Sequence, residues 1–314
     1  MLTDYLITHL HKIQYICFIL AQLNNMALLS LIWLKASVKF GSYRYIMAMF
    51  SLYSLVYAWV EIAVLPMMHT KVPVFAIMVN SSLKHHTYLG RFIISLYCGS
   101  FALCISLLAA QFVYRYLVVC RPHYSLSGYQ YLKILIPCPI AFITWFLLVY
   151  YGMESDTSKL ASFRLNVLET YHDDLDSIGF SALVYWFPDG AGVELWNRDS
   201  LISIAGMDAI IGSCFSVILY CGYSIYRDLQ RKENLMSERK IDLQKQLFYT
   251  LAFQTLLPFF LMYMTVGLII TTPLLSIDIG KFANISGVTV AIYPSLEPCI
   301  AIMCIKDFRR TLMC

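Results

Sequence analysis

Seven stretches of predominantly apolar sequence, each long enough to cross a bilayer, constrain this chain more than any other feature. A spanning helix needs about 20 mostly apolar residues, and the segments near 13–34, 45–66, 92–118, 131–151, 201–226, 247–271 and 282–304 meet that requirement. Of the 314 residues, 59% are hydrophobic and only 13% are charged, where soluble domains carry roughly 25% charged residues. A soluble fold of this size could not hide so much apolar surface, so the surplus faces lipid. The expected fold is all-α and membrane-embedded, a seven-helix bundle forming one domain over 1–314. The first span reads as an uncleaved anchor, because no basic region precedes it and no small-residue cleavage site follows a short apolar core.

Seven spans put the chain ends on opposite sides, and Lys and Arg decide the sides. With the N-terminus outside, the interior parts are 35–44, 115–130 with Lys133, 227–246 and 305–314. They hold fifteen of the 23 basic residues. The long segment 152–200 is then exterior, and it carries nine acidic residues against three basic ones. Within it, Phe180–Phe187 and Val193–Trp196 flank Pro188-Asp189-Gly190-Ala191-Gly192, a turn-forming run. This reads either as a β-hairpin that could lid a pocket or as an irregular acidic loop. Asn80-Ser81-Ser82, in the exterior segment 67–91, is a glycosylation sequon. Asn284-Ile285-Ser286 also matches but starts the last span, too close to the bilayer for modification. The tail 305–314 is expected as a short amphipathic helix along the inner membrane surface.

Several classes of function fit poorly. A net charge of +4 without a basic block gives nucleic acid nothing to bind. None of the ten cysteines sits in a metal-ligand spacing, and small apolar residues packing between helices is the simpler reading. Cys120 and Cys314 lie near membrane ends, where palmitoylation is conceivable. No HExxH, GxSxG or His/Asp cluster marks an enzyme, and no cofactor or metal is expected. His69, His85 and His86 read as solvated loop histidines. No internal repeat of the transporter kind is evident.

Polar residues inside spans are costly, roughly 2.5–3.5 kcal/mol for a central carboxylate on insertion scales, so four places draw interest. The inner end of span three reads Tyr114-Arg115-Tyr116-Leu117-Val118-Val119-Cys120-Arg121-Pro122. An isolated Arg there would merely reach the headgroups. The run, however, is similar to the D/E-R-Y-x-x-V-C-x-P run of rhodopsin-like receptors, where the Arg contacts the G protein. Tyr114 replaces the acid, so no ionic lock to the preceding residue can form. At the inner end of span seven, Pro294 and Pro298 make an irregular, hinge-capable segment with Tyr293 and Glu297. In span six, Lys240 and Lys245 extend the helix inward and Pro258 interrupts it at mid-span, so its inner half could swing. In the outer half of the bundle, Glu61, Tyr97, Ser100, Phe101, Asp208, Phe259, Tyr263 and Asn284 are candidates to line a pocket. For each aromatic, plain helix packing is the simpler account. Asp208 lies too deep to reach water cheaply.

Taken in order, these runs resemble the nematode Str-type seven-helix chemoreceptors. The likeness is carried by Gly41-x-Tyr43-Arg44-Tyr45, Pro66 with His69, Tyr114-Arg115-Tyr116, Cys120-Arg121-Pro122, and Gln244-x-Gln246-Leu247-Phe248. It continues through Gln254-Thr255-Leu256-Leu257-Pro258, Tyr293-Pro294 with Glu297-Pro298, and Ile305-Lys306-Asp307-Phe308-Arg309. The resemblance implies a receptor for a small, often volatile, external chemical. It implies signalling through a heterotrimeric G protein, and residence in the plasma membrane of ciliated sensory neurons. Two departures stand out: Glu297 replaces the Asp expected before Pro298, and the exterior loop lacks the Cys needed for a disulfide to span three. The expected mechanism is a two-state bundle that exposes Arg115, Arg121 and the basic loop 227–246 to the G protein. The competing expectation is a seven-span ligand-gated channel or transporter.

Overall fold

The structure is a computed structural model describing residues 2–35, 43–121, 131–188, 194–232 and 237–313. Pro122 and the turn residues 189–193 lie outside the described residues, as does the side chain of Lys240.

Among the described residues, seven helical spans are long and apolar enough to cross a membrane, each containing or overlapping an expected one. Span one is α1 (Leu2–Lys35), span two α2 (Tyr43–Val64) and span three α3 (Thr87–Cys120). Span four is α4 (Tyr131–Leu135) continued by α5 (Pro137–Gly152). A further helix, α6 (Ala161–Tyr171), lies in the long exterior segment, and α7 (Arg198–Arg231) is span five. Span six is α8 (Glu238–Pro258), a π-helical turn over Phe259–Met264, and α9 (Thr265–Leu274). Span seven is α10 (Ile285–Cys304), followed by α11 (Lys306–Met313), which is the short amphipathic tail helix expected. Span three is the axis of the bundle: 78% of its apolar stretch is buried, against 17% for span five, whose exposed Leu219, Tyr220 and Tyr223 suit a lipid face.

The exterior end holds more order than the sequence suggested. Pro66–Lys71 (β1) and Val74–Val79 (β2) pair antiparallel, and Phe180–Val184 (β3) adds to β2. The expected hairpin exists in shortened form, as Trp186–Pro188 (β4) against Glu194–Trp196 (β5). The first arm is divided because β3 finds a better partner in β2. The three-stranded sheet is buried on both faces. Met68, Phe75, Ile77, Val79 and Leu183 point down into the bundle core. Met67, Val74, Ala76, Met78, Phe180, Ala182 and Val184 point up against Leu160, Phe163, Val167 and Tyr171 around α6. A sheet covered on both faces needs apolar residues at every position, which the runs Val74–Val79 and Phe180–Val184 supply apart from Ser181.

No disulfide ties this cap to span three; the backbone does so instead. Gly90, in the first turn of α3, meets Gly179 so closely that a Cβ on Gly90 would lie 2.6 Å from Gly179 Cα. Gly179 also donates its N–H to Lys84 O and accepts from Val79 N–H, at 2.9 Å each. Lys84 Nζ pairs with Asp173 at 2.5 Å.

His69 differs from its expectation as a solvated loop residue. It sits in β1, 2% exposed, between Tyr171 OH on Nδ1 (2.9 Å) and Asn166 Oδ1 on Nε2 (2.7 Å). Asn284 Nδ2 donates to the same Tyr171 OH at 3.0 Å. The proton of Tyr171 is therefore free to go to His69 Nδ1, and the Nε2–H of neutral His69 to Asn166. Burial lowers the pKa of His69 below its ordinary value, and the bond to Asn166 opposes this only in part.

Candidate functional site

Two adjoining cavities lie in the outer half of the bundle beneath the sheet. The upper, about 40 Å³, is roofed by Met68, Phe75, Ile77 and Leu183 of the three strands. The lower, about 110 Å³, reaches sideways between spans five and six. Tyr97 and Phe101 of α3 line the upper cavity, and Phe101, Asp208 and Tyr263 the lower. Four of the eight pocket candidates thus meet here, joined by Trp145, Met207, Val266 and Ile270 on both walls. The hydroxyl of Tyr185, between β3 and β4, donates to Ile270 O and so ties the cap to span six. Burial raises the pKa of that hydroxyl and the charge of Asp208 raises it further.

The other four candidates stand apart from these cavities. Glu61 is 4% exposed, one wall further in, with Oε1 unpartnered. Ser100 Oγ donates back to Leu96 O within its own helix (2.9 Å). Phe259 packs on Phe215, ring centres 5.5 Å apart. Asn284 secures the cap: its Oδ1 accepts from Met68 N–H (2.9 Å) in β1. Asn80 directly follows β2, half-buried, its Nδ2 3.1 Å from His11 Nε2.

From the cavity a chain of contacts runs inward. Tyr97 stacks on Tyr57 (6.0 Å, 17°) and meets Phe101 edge-on (5.8 Å); Phe101 in turn meets Tyr263 (6.1 Å). Tyr263 donates to Phe101 O at 3.0 Å and lies within the π turn. That turn begins directly after Pro258, which has no N–H to keep the regular ladder. Tyr263, which lines the lower cavity, therefore sits at the irregular point of span six.

At the inner end, Arg115 is 2% exposed. Its Nη2 donates to Gln244 Oε1 (2.6 Å) and Gln244 O (3.2 Å) on span six, and its guanidinium lies 5.3 Å from the ring centre of Tyr43. Tyr114, standing where the rhodopsin-like run has an acid, stacks on Tyr43 (5.8 Å, 20°). A neutral amide on span six thus holds the arginine that a carboxylate would otherwise hold. Beside it, Gln254 Nε2 donates to Glu297 Oε1, joining spans six and seven; Glu297 is 1% exposed. Lys306 Nζ reaches Asp242 (2.8 Å) and its N–H reaches Gln246 Oε1 (3.1 Å), fastening α11 to span six. Lys245 is half-buried on the same stretch, and Arg121 is exposed with Nε 3.5 Å from Tyr116 OH.

The break that Pro298 makes in span seven is repaired by a residue that the sequence reading missed. Pro298 leaves the carbonyl of Pro294 without its helical donor, and Asn25 Nδ2 of span one supplies one at 2.9 Å. Asn24 Nδ2 bonds the neighbouring Ser295 O at 2.9 Å. Asn25 is fully buried, and its Oδ1 accepts from Ser51 Oγ (3.0 Å) of span two. The signal was present: two adjacent asparagines inside an apolar span must find partners. Tyr293 OH accepts from Cys104 Sγ at 3.3 Å, bringing span three to the same junction.

Known proteins agree with this architecture. The squid rhodopsin crystal structure superposes with a TM-score of 0.62, covering 98% of this chain and 85% of that one at 11% identity, a likeness of fold. Serpentine receptor class r-10 of Caenorhabditis briggsae is 32% identical over 276 residues, 87% of this chain and 80% of that protein. Its Caenorhabditis elegans namesake is 30% identical over 92% of this chain and 85% of its own length. The G-protein coupled receptor str-33 of Caenorhabditis elegans is 27% identical over 87% and 80%. Residues 10–313 match the family described as serpentine type 7TM GPCR chemoreceptor Str. The chain is a member of the Str family of serpentine seven-helix chemoreceptors, a multi-pass membrane protein of the G-protein-coupled receptor type.

Proposed function

We propose that this receptor binds a small external chemical, an odorant, in the paired cavities under the sheet and activates a heterotrimeric G protein at its inner face. The observation that carries the reading is span six. Its π turn presents Tyr263 to the cavity, and 19 positions toward the interior (263 to 244) the same span holds Arg115 through Gln244. A ligand that binds better when Tyr263 shifts moves the population toward a bundle in which the inner part of span six swings away. Arg115 and Arg121, with the basic stretch 227–246 and Lys240 and Lys245, then face the G protein. Pro258, Pro294 and Pro298 are the positions where the helical ladders yield, and the Gln254–Glu297 bond is the contact between spans six and seven that resets. No bond is made or broken in the receptor, and plasma membrane of a sensory cilium is the setting we assign to it.

Expression with a reporter G protein, screened against odorants, tests this. The wild type is expected to respond to at least one small odorant. Arg115→Ala is expected to reach the surface and stay silent. Normal signalling from Arg115→Ala would remove that residue from its role, and ligand-gated current without a G protein would replace the receptor reading by a channel.

A further inference from the structure

We propose that the ligand class of the lower cavity is a small organic cation, an alkylammonium, rather than a neutral odorant. This deepens the functional reading above and rests on that cavity being the ligand site.

The cavity combines three aromatic walls, Phe101, Trp145 and Tyr263, with one carboxylate, Asp208, and no basic residue among its lining. Asp208 makes no hydrogen bond or ion pair with any described residue. It is exposed at the sideways opening, ten positions into α7, about 15 Å along the helix from its start. Such a carboxylate is expensive within a span and needs a counter-charge. Aromatic faces attract cations through their ring quadrupoles, and an aromatic cage beside an acid recognises ammonium groups. The neutral parts of the wall, Met207 and Ile211 among them, would take the alkyl portion. Size sets the scale: a cavity of 150 Å³ accommodates about one benzene, and this one holds about 110 Å³. The exterior segment 152–200, with nine acidic residues against three basic ones, biases the approach the same way.

The test uses the purified full chain in nanodiscs, with thermal unfolding followed against probe concentration at fixed ionic strength. The probes are isopropylammonium chloride and isopropanol, which share size and shape and differ in charge. Half-maximal stabilisation by isopropylammonium is expected at a concentration about tenfold or more below that of isopropanol. Asp208→Asn is expected to abolish this preference and Asp208→Glu to keep part of it. A Cβ at Gly267 would meet nothing within 4 Å, so Gly267→Leu should fill the cavity and remove stabilisation by both probes. Equal potency of the two probes, an undiminished preference in Asp208→Asn, unchanged stabilisation in Gly267→Leu, or no stabilisation by either probe would each overturn the proposal. Because binding is read without a G protein, a chain that prefers the ammonium yet never activates a G protein would instead contradict the signalling reading alone.

Discussion

At the scale of single residues, His69 is the clearest titrating element outside the membrane. Its neutral form accepts from Tyr171 and donates to Asn166. Its pKa in the folded protein is below the ordinary 6.5, so the unfolded state binds more protons as the medium is acidified. The stability it contributes is complete above pH 6.5 and is lost as pH falls through the lowered folded value. Hydrogen-exchange protection factors in β1 and α6, taken relative to the intrinsic rate at each pH, are therefore expected to fall when pH drops below 6.5 and to stay level with pH in His69→Gln. Equal acid sensitivity in both proteins would show that His69 is not the cause. Asn25 has a different task, as donor to a carbonyl that a proline has orphaned. Asn25→Leu is expected to cost about 1 kcal/mol, within the range for interhelical bonds in membranes, and thermal unfolding of the purified variant measures it.

At the scale of elements, the sheet is the part least legible in advance. Val74–Val79 lacks the alternation that marks a half-buried strand, because both faces are covered, and its partner β3 lies more than a hundred positions away. The hairpin over 186–196 was legible from its turn residues, which are local. The seven spans were legible for the same reason: lipid imposes length and apolarity on each one separately. Pro258 was readable as an interruption, but the π turn after it was not, since that depends on what neighbouring helices accept. The cap also makes a quantitative expectation at Gly90 and Gly179, whose backbones touch where a disulfide would otherwise hold the loop. Gly179→Ala forces that contact apart and is expected to destabilise the cap by about 1–3 kcal/mol, as overpacking does. Proteolysis of the segment 152–200 should accelerate accordingly, and an unchanged cleavage rate would show that the ion pair and strand pairing suffice.

At the scale of the whole molecule, Arg115 and Gln244 each stood in a run the sequence marks, but their pairing across 129 positions was not legible, since only the fold brings them together. On the mechanism we propose, the pair holds the inner end closed, and its strength sets how often the receptor opens unaided. A hydrogen bond to a charged group contributes about 1.5–3 kcal/mol. Removing it is expected to raise the basal active population about tenfold or more. The direct measurement is ligand-free nucleotide exchange on a G protein by membranes carrying wild type or Gln244→Ala at matched surface abundance. Faster exchange with Gln244→Ala, abolished again when Arg115→Ala is added, is the result the closed-end account predicts. Exchange equal to wild type in Gln244→Ala would contradict it.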